Sequence, residues 1–466
     1  MKRENYSKDE LFGSVPVGEA LRIMAVPTII SQMINLIYNM VDAFYIGRTG
    51  NAYMMGATTL TLTMVMMSVA ISNLFGIGGG SQVARMMGAG RPEEAQRASA
   101  FSFWGAIAAA ALYSALIGIF LTPILRFLGA SDDTIGFASG YALIVIVIGG
   151  IPSLTSLVLA QLLRNAGYSG KASIGLSGGG ILNAVLDPLF MFVLLPRGQE
   201  VIGAAIATAL SNTLAFLYLL IAYIRAGKTS PLRISPSYVR QISRAGVKSI
   251  LSVGVPSAIL TAMFDVGNIF LNMLAAAHND MVLAGIGIVM KVERIPNAFN
   301  MGLCQGMMPI VAYNYASGDH DRMREVIRTA RKVGLTASGC AVVLFSVFAS
   351  QAVRLFLSTS AGDAARALQT VTYAAVFLRI RCLASPVQFL NYSSSFCMQA
   401  MGDGKRTILH AVTRNILLYL PILFVFDRLF GEVGMAAGLP VSEVLSAFFA
   451  MWLLKRSIEQ GRERLG

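Results

Sequence analysis

The chain has 466 residues, of which 55% are hydrophobic and 13% are charged, and its mean hydropathy is +0.64. These values lie far outside the range of soluble globular domains, so they exclude that class and indicate an integral membrane protein. The net charge of +13 is compatible with nucleic-acid binding by its size, but the positions of the basic residues indicate membrane topology instead.

Apolar runs long enough to cross a bilayer, which takes about 20 helical residues, follow one another along the whole chain. They lie at 18–46, 54–84, 99–125, 135–163, 172–195, 201–224, 248–275, 281–313, 334–357, 367–400, 407–429 and 433–454. The charged N-terminal sequence MKRENYSKDELFG does not resemble a signal peptide, so the first run is expected to direct membrane insertion. We therefore predict an all-α membrane protein with twelve transmembrane helices.

The basic residues are distributed unequally between the two sides of the predicted membrane. With residue 1 in the cytoplasm, most Lys and Arg residues fall in the tails and loops on that side. The opposite loops carry only Arg48, Arg126, Arg197, Arg354, Arg366 and Arg428. This positive-inside pattern predicts cytoplasmic termini and a basic surface that contacts anionic membrane lipid, with no nucleic-acid partner.

The second half of the chain repeats the first. Pro27 and Asn39 match Pro256 and Asn268, each 229 residues later, and further matches downstream keep nearly the same offset. A slowly drifting offset is typical of a duplication. Six spans in each copy give two parallel repeats, which are expected to enclose a central cleft and to work by alternating access.

This repeat also sets the predicted domain boundaries. Residues 1–228 form an N-terminal six-helix lobe, and residues 245–466 form a C-terminal six-helix lobe. The segment 229–244 between them is polar and basic and contains Pro231 and Pro236, so it is expected to be a cytoplasmic linker.

A polar stripe lies on the first span. Asn35, Tyr38, Asn39 and Asp42 follow the spacing i, i+3, i+4 and i+7, so they share one helical face. Ionisable groups inside a span are costly and usually mark an ion path or a ligand site. The stripe is therefore expected to line a cavity, with interhelical hydrogen bonding as the alternative.

The sequence NAVLDP on the fifth span places a second carboxylate in an apolar helix. Asn183 and Asp187 share a face at i, i+4, and Pro188 cannot donate a hydrogen bond to the carbonyl of Ala184. We predict a hinge at Pro188 and a proton or sodium site formed by oxygen ligands. The alternative is a proline kink capped by polar groups.

The second half keeps the proline but lacks the carboxylates. Pro421 matches Pro188, whereas Leu420 and Leu271 match Asp187 and Asp42. The kink is therefore interpreted as architecture common to both halves, and ion coupling is expected to reside in the first half.

Other charged residues in the predicted spans have two open interpretations, internal ion pairs between spans or contacts with a substrate. They are Asp265, Lys291, Glu293, Arg294, Arg379, Arg381 and Arg414. The chain contains only three histidines and no paired metal-ligand spacing, so an enzyme is not expected.

Four motifs together resemble the multidrug and toxic compound extrusion (MATE) family over nearly the whole chain. They are YNMVDAFYIG on the first span, NAVLDP on the fifth, GAAIAT at 203–208 and GLCQGMMPIVAYNYASGD at 302–319. The last motif is similar to the MepA-like bacterial branch. The resemblance implies an inner-membrane antiporter, expected as a monomer, that exports organic cations or drugs in exchange for protons or sodium ions, without another cofactor.

The resemblance also assigns roles to residues. Asp42, Asn183 and Asp187 match the family's first-lobe cation site and are the expected ligands of a sodium ion or proton. The residues expected to line the substrate cavity are Asn35, Tyr38, Asn39, Thr208, Asp265 and Gln305. One alternative is a lipid-linked oligosaccharide or lipid flippase of the same broader fold group, which would place basic residues such as Arg379, Arg381 and Arg414 in the cleft. A second alternative is an intramembrane enzyme.

Overall fold

The computed structural model describes residues 6–356 and 364–465, without the side chains of Phe264, Asp265 and a few residues next to the undescribed segments. Over these ranges the chain is helical and contains no β-strand. The helices of the first half are α1 Lys8–Gly13, α2 Val17–Arg48, α3 Ala52–Gly88, α4 Pro92–Ile119, α5 Leu121–Phe127, α6 Asp132–Ala142, α7 Gly150–Asn165, α8 Ser169–Leu189 and α9 Glu200–Ala226.

The helices of the second half follow in a similar order. They are α10 Pro236–Arg240, α11 Arg244–His278, α12 Asp280–Ser317, α13 His320–Val347, α14 Ala349–Phe356, α15 Ala364–Arg381, α16 Ser385–Ala400, α17 Gly404–Val412 and α18 Tyr419–Leu465. Short π-helical segments follow α6, α8 and α17, at Leu143–Ile148, Phe190–Leu194 and Thr413–Leu418.

The helices account for the predicted membrane crossings. Among the described residues, nine helical segments are long and apolar enough to span a bilayer, or ten with the pair α6 and α7, which is bent by 52°. The charged α12 is also long enough, and Gly431 (φ 60, ψ −146) divides the segment 404–461 into two passes. Both features together raise the number to the predicted twelve.

Two of the predicted spans are broken at matching positions of the repeat. The run 99–125 is divided between α4 and α5 at Phe120 (φ −106, ψ 24), where one helix had been expected. The run 334–357 is divided in the same way at Phe348 (φ −100, ψ 24), which lies 228 residues later. The matching positions and similar backbone angles of both bends support the duplication.

The two halves meet at the end that carries the chain termini. There, one core cluster contains residues of both halves, such as Met24, Ile77, Val253 and Met307. At the opposite end the cores are separate. One is built around first-half residues such as Ile46, and the other is built from second-half residues.

Close helix packing seals the terminal end. A Cβ on Gly306 would lie 2.4 Å from Cα of Ala25, and a Cβ on Gly254 would lie 2.0 Å from the carbonyl oxygen of Leu74. Glycine permits this approach because it has no side chain. The cleft between the halves is therefore closed at the terminal end and opens toward the other end.

Candidate functional site

The polar stripe of α2 packs against α8. The ring of Tyr38 covers Gly180, where a Cβ would lie 2.5 Å from Cδ1 of the tyrosine. Nδ2 of Asn39 donates hydrogen bonds to the backbone oxygen and to Oδ1 of Asn35, at 2.6 and 3.1 Å. Both asparagines are exposed, while Tyr38 and Asp42 are half-buried. The stripe therefore runs from open space toward the interior of the first lobe.

Asp187 lies at the centre of a buried polar group on the facing helices α8 and α9. Its side chain is fully buried, and Asn183 is only 4% exposed. Nδ2 of Asn183 donates to Oδ1 of Asp187 at 3.0 Å and to Oγ1 of Thr208 at 3.3 Å. The one amide therefore holds a carboxylate and a hydroxyl from two helices in a fixed arrangement.

Two carboxylate oxygens of this region have no partner. Oδ1 of Asp42 and Oδ2 of Asp187 are both buried, and neither has a hydrogen bond within the part of the chain that is described. The two side chains are close enough for their charges to interact. Buried polar atoms are nearly always paired, because an unpaired one loses its hydration without compensation. These two oxygens are therefore free to accept a proton or to bind a cation.

The available donors suit a small hard cation or a proton. Carboxylate oxygens on two helices and the Thr208 hydroxyl are hard ligands, which bind Na⁺ or exchange protons rather than binding soft transition metals. Within the described residues, no three His, Cys, Asp or Glu side chains form a metal cluster. Asp42 and Asp187 fit the predicted sodium or proton site through their unpaired oxygens.

Tyr141 is a member of this group that the sequence did not indicate. It lies near the end of α6 and is 8% exposed. Its hydroxyl lies near Thr208, Asp42 and Asp187. Tyrosine is common in apolar helices, so its position alone does not distinguish it from a packing residue.

The α8 helix changes geometry beside the carboxylate. Pro188 lies inside α8, and the chain becomes π-helical at Phe190–Leu194, two residues later. A proline removes one hydrogen bond of the regular i to i−4 pattern, and the wider π turn is one way in which a helix continues past it. The predicted hinge thus coincides with a local change of helix type.

Two residues predicted for the cavity are not part of this cluster. Gln305 is buried at the closed end, where its Oε1 accepts a hydrogen bond from Arg164 of the other lobe at 2.9 Å. Its neighbour Gly306 packs on Ala25, 17 residues and about 25 Å along α2 from Asp42. The side chain of Asp265 lies outside the described residues.

Two buried arginines connect the lobes at the closed end. Besides its bond to Gln305, Arg164 binds Oε1 of Gln161 at 2.9 Å. Arg85 donates to the backbone oxygen of Ala400 at 3.1 Å and to Oγ of Ser249 at 3.1 Å. Both arginines follow predicted spans by one residue, so their positions in the sequence indicate loops and give no sign of this bridging role.

The glycine contact at the closed end yields a prediction about conformation. Gly254→Val places a side chain against the Leu74 carbonyl, which must push α11 away from α3. We expect spin labels at the exposed positions 91 and 244, in a background without native cysteines, to show longer distances by electron paramagnetic resonance.

The control for this prediction is Gly287→Val, because a Cβ at Gly287 meets no atom within 4 Å. It makes the same chemical change in a helix and is expected to preserve the distance distribution. Equal distributions for Gly254→Val and the unmodified chain would contradict the assigned role of the glycine contact.

The buried charges of the second lobe form ion pairs between spans. Arg381 binds Glu293 through two hydrogen bonds of 2.8 and 2.9 Å. Arg414 binds Glu443 in the same manner, with Nη2 at 2.7 Å from Oε1. Of the two open interpretations, the structure shows internal ion pairing for Arg381 and Arg414. Arg379 instead donates to the backbone oxygen of Ser346 at 3.1 Å.

Known proteins and structures resemble this chain over nearly its full length. The MatE family model matches twice, at residues 27–195 and 256–425. The chain is 29% identical over 452 residues to the multidrug export protein MepA of Staphylococcus saprophyticus and 26% identical over 451 residues to that of Staphylococcus aureus, covering 96% of each chain.

Solved structures share the fold at lower sequence identity. A MATE crystal structure in complex with MaL6 has a TM-score of 0.90 and 20% identity, with 98% of this chain and 99% of that chain covered. An outward-facing multidrug resistance MATE family transporter of the MOP superfamily has a TM-score of 0.87, also at 20% identity, with the same coverage. These structures confirm the fold predicted from the sequence.

Proposed function

The chain belongs to the MatE family of membrane transporters, and from this premise we propose that it is a multidrug efflux antiporter. It exports small organic cations or drugs across the bacterial cytoplasmic membrane in exchange for entering protons or sodium ions. Similarity to staphylococcal multidrug export proteins supports the substrate class. The excess of basic residues on one side supports cytoplasmic termini.

The observation that carries this proposal is the pair of unpaired carboxylate oxygens on Asp42 and Asp187. With both groups ionised, two negative charges lie close together in a poorly hydrated region, which favours binding of one positive charge. A proton, a sodium ion or an organic cation can each supply it. Because these ligands neutralise the same oxygens, they compete.

Competition between the coupling ion and the drug for one site produces exchange when the affinities of the site for these two ligands differ between the two conformations. In this structure the cleft is open at the end opposite the termini, and Asn35 and Asn39 are exposed. Here the coupling ion enters and displaces the drug, and the neutralised site then permits closure. After the terminal end opens, loss of the ion restores the affinity for the drug.

The alternative flippase function is less well supported. Recognition of an anionic lipid-linked sugar requires free cations in the cleft, but Arg381 and Arg414 are 4% and 5% exposed and each holds a carboxylate. Their charges are therefore neutralised within the second lobe, whereas the ionisable groups with unpaired oxygens near Thr208, Asp42 and Asp187, are acidic. Acidic groups select a cationic ligand.

Transport measurements under separate gradients test the proposal. The protein is reconstituted in proteoliposomes loaded with a fluorescent lipophilic cation, and a pH gradient or a sodium gradient is applied in turn. We expect one gradient to drive dye movement against its own concentration gradient. Dye movement that depends on neither the pH gradient nor the sodium gradient would overturn the proposal. Transport of lipid-linked sugar instead of the dye would do so as well.

A further inference from the structure

A basic cavity lies outside the cleft, between α13 and the final turns of α18. It has a volume of about 380 Å³, within the ~300–1,000 Å³ of small-molecule sites. Its lining combines cations with apolar side chains and contains no acidic residue. The lining includes Arg324, Arg328, Arg331, Lys332, Leu335 and Leu454.

An open apolar depression on the surface of α13 continues from the first cavity. It has a volume of about 500 Å³, and its lining residues all lie between Leu335 and Phe348, including Gly339 and Cys340. Leu335 lines both the cavity and the depression, so we call the two together a groove with a basic head and an apolar tail. The tail follows 14 residues of helix, about 20 Å, which exceeds the ~15 Å of one hydrocarbon leaflet.

The basic head of the groove lies at the level of the lipid headgroups. Its four cations directly precede the apolar run that starts at residue 334. On α18, Trp452 is 51% exposed and the guanidinium of Arg456 lies 5.4 Å from its ring. Exposed tryptophan and basic residues concentrate at the membrane interface. Residues on α13 and on α18 therefore indicate independently that the basic head lies at the membrane interface.

Arg331 retains hydrogen-bonding capacity inside the cavity lining. Nη2 donates to Oγ of Ser394 at 3.0 Å, but Nε is buried and has no hydrogen-bond partner in the described part of the chain. Arg324 contacts Asp321 at 3.7 Å, but Asp321 is 97% exposed, and such surface pairs contribute little. Among the described residues that line this cavity there is therefore no buried counter-charge, and a bound phosphate would provide one.

We propose that this groove binds one anionic glycerophospholipid from the membrane leaflet on the side of the termini. Its phosphate contacts the four cations, and one acyl chain lies along the apolar tail on the surface of α13. A headgroup with net negative charge matches the basic head, and basic pockets between helices at the membrane surface bind such headgroups. A zwitterionic lipid lacks that net charge.

Native mass spectrometry of the full chain in detergent tests this assignment. Phosphatidylglycerol and phosphatidylcholine are added in turn, and we expect retention of one phosphatidylglycerol molecule. The variant with Arg328→Gln and Lys332→Gln should weaken retention by about fivefold for each cation, or roughly 25-fold in total. The matched control, Arg240→Gln with Lys248→Gln, removes two exposed cations at the same end and should retain the lipid. Equal retention of both lipids, or equal loss in the control, would overturn the proposal.

A second variant tests the acyl chain separately from the headgroup. A Cβ on Gly339 meets no atom within 4 Å, so Gly339→Leu should occupy the apolar depression without disturbing the helix and should lower phosphatidylglycerol retention. Bound lipid should also slow alkylation of Cys340, which is exposed whereas Cys304, Cys382 and Cys397 are buried. Full displacement by glycerol phosphate, or unchanged retention in Gly339→Leu, would show that a phosphate compound and not a lipid occupies the head.

Discussion

Replacing Asp187 with asparagine is expected to abolish gradient-driven drug exchange while leaving the fold intact. Asparagine has nearly the same shape, and its side-chain oxygen can still accept the hydrogen bond that Asn183 donates to Oδ1. The substitution removes the negative charge and replaces the unpaired Oδ2 with an amide that cannot exchange protons. We expect dye counterflow in proteoliposomes to fall to the level of protein-free vesicles.

Asp133→Asn is the matched control for this change. Asp133 is exposed in the first turn of α6, so the same loss of one carboxylate should leave exchange unchanged. Both variants should elute as the unmodified chain does in size-exclusion chromatography. Exchange at the unmodified rate in Asp187→Asn would contradict the assigned coupling role, because no other described group replaces that charge on α8.

Regular spacing made part of the site predictable from sequence. The stripe from Asn35 to Asp42 and the Asn183–Asp187 pair follow helical periodicity, and the helices do bring Asn183 to Asp187 and Thr208. Tyr141 was missed because an uncharged tyrosine has no unusual cost inside an apolar helix. Arg164 was missed because it lies one residue beyond an apolar run, where charge is ordinary.

The structure also shows how the duplicated halves diverged. In the first lobe, Tyr38 of α2 packs on Gly180 of α8. In the second lobe, Gly267, 229 residues after Tyr38, packs against Tyr419 of α18, where a Cβ on the glycine would lie 2.8 Å from Cε1 of the ring. The second contact is not the repeat of the first, because at the offset that places Leu420 over Asp187 the residue matching Tyr419 is Leu186 and not Gly180. The two lobes therefore pack this pair of helices through tyrosine–glycine contacts at different positions.

A deeper difference concerns charge. In the first lobe Asp42 and Asp187 each keep a buried oxygen without a partner, whereas in the described part of the second lobe Glu293 and Glu443 pair with arginines. The unpaired aspartate oxygens are available to a cation from solution, whereas the paired glutamates are already neutralised by arginine side chains of the protein. This arrangement explains why only one lobe is expected to couple ion and drug, although both have the same architecture.

Glu443→Gln is expected to destabilise the protein strongly. Glu443 and Arg414 are both buried, the guanidinium also lies 4.6 Å from the ring of Tyr392, and Nδ2 of Asn391 donates to Oε2 of Glu443 at 2.6 Å. Glutamine retains the shape but leaves the arginine charge without a counter-charge. Removing one partner of a buried pair costs about 3–5 kcal/mol, and we expect a clear fall in the unfolding temperature in detergent.

Two comparisons separate a structural role of this pair from a substrate role. Glu93→Gln breaks the exposed pair with Arg97, 3.1 Å apart, and should cost only about 0–1 kcal/mol. The double variant Arg414→Met with Glu443→Leu removes both charges and should recover most of the stability lost in Glu443→Gln. If the pair only fixes helix contacts, the double variant also transports dye normally below its unfolding temperature. Loss of transport in a stable double variant would instead place these charges in the substrate path and would favour the flippase function.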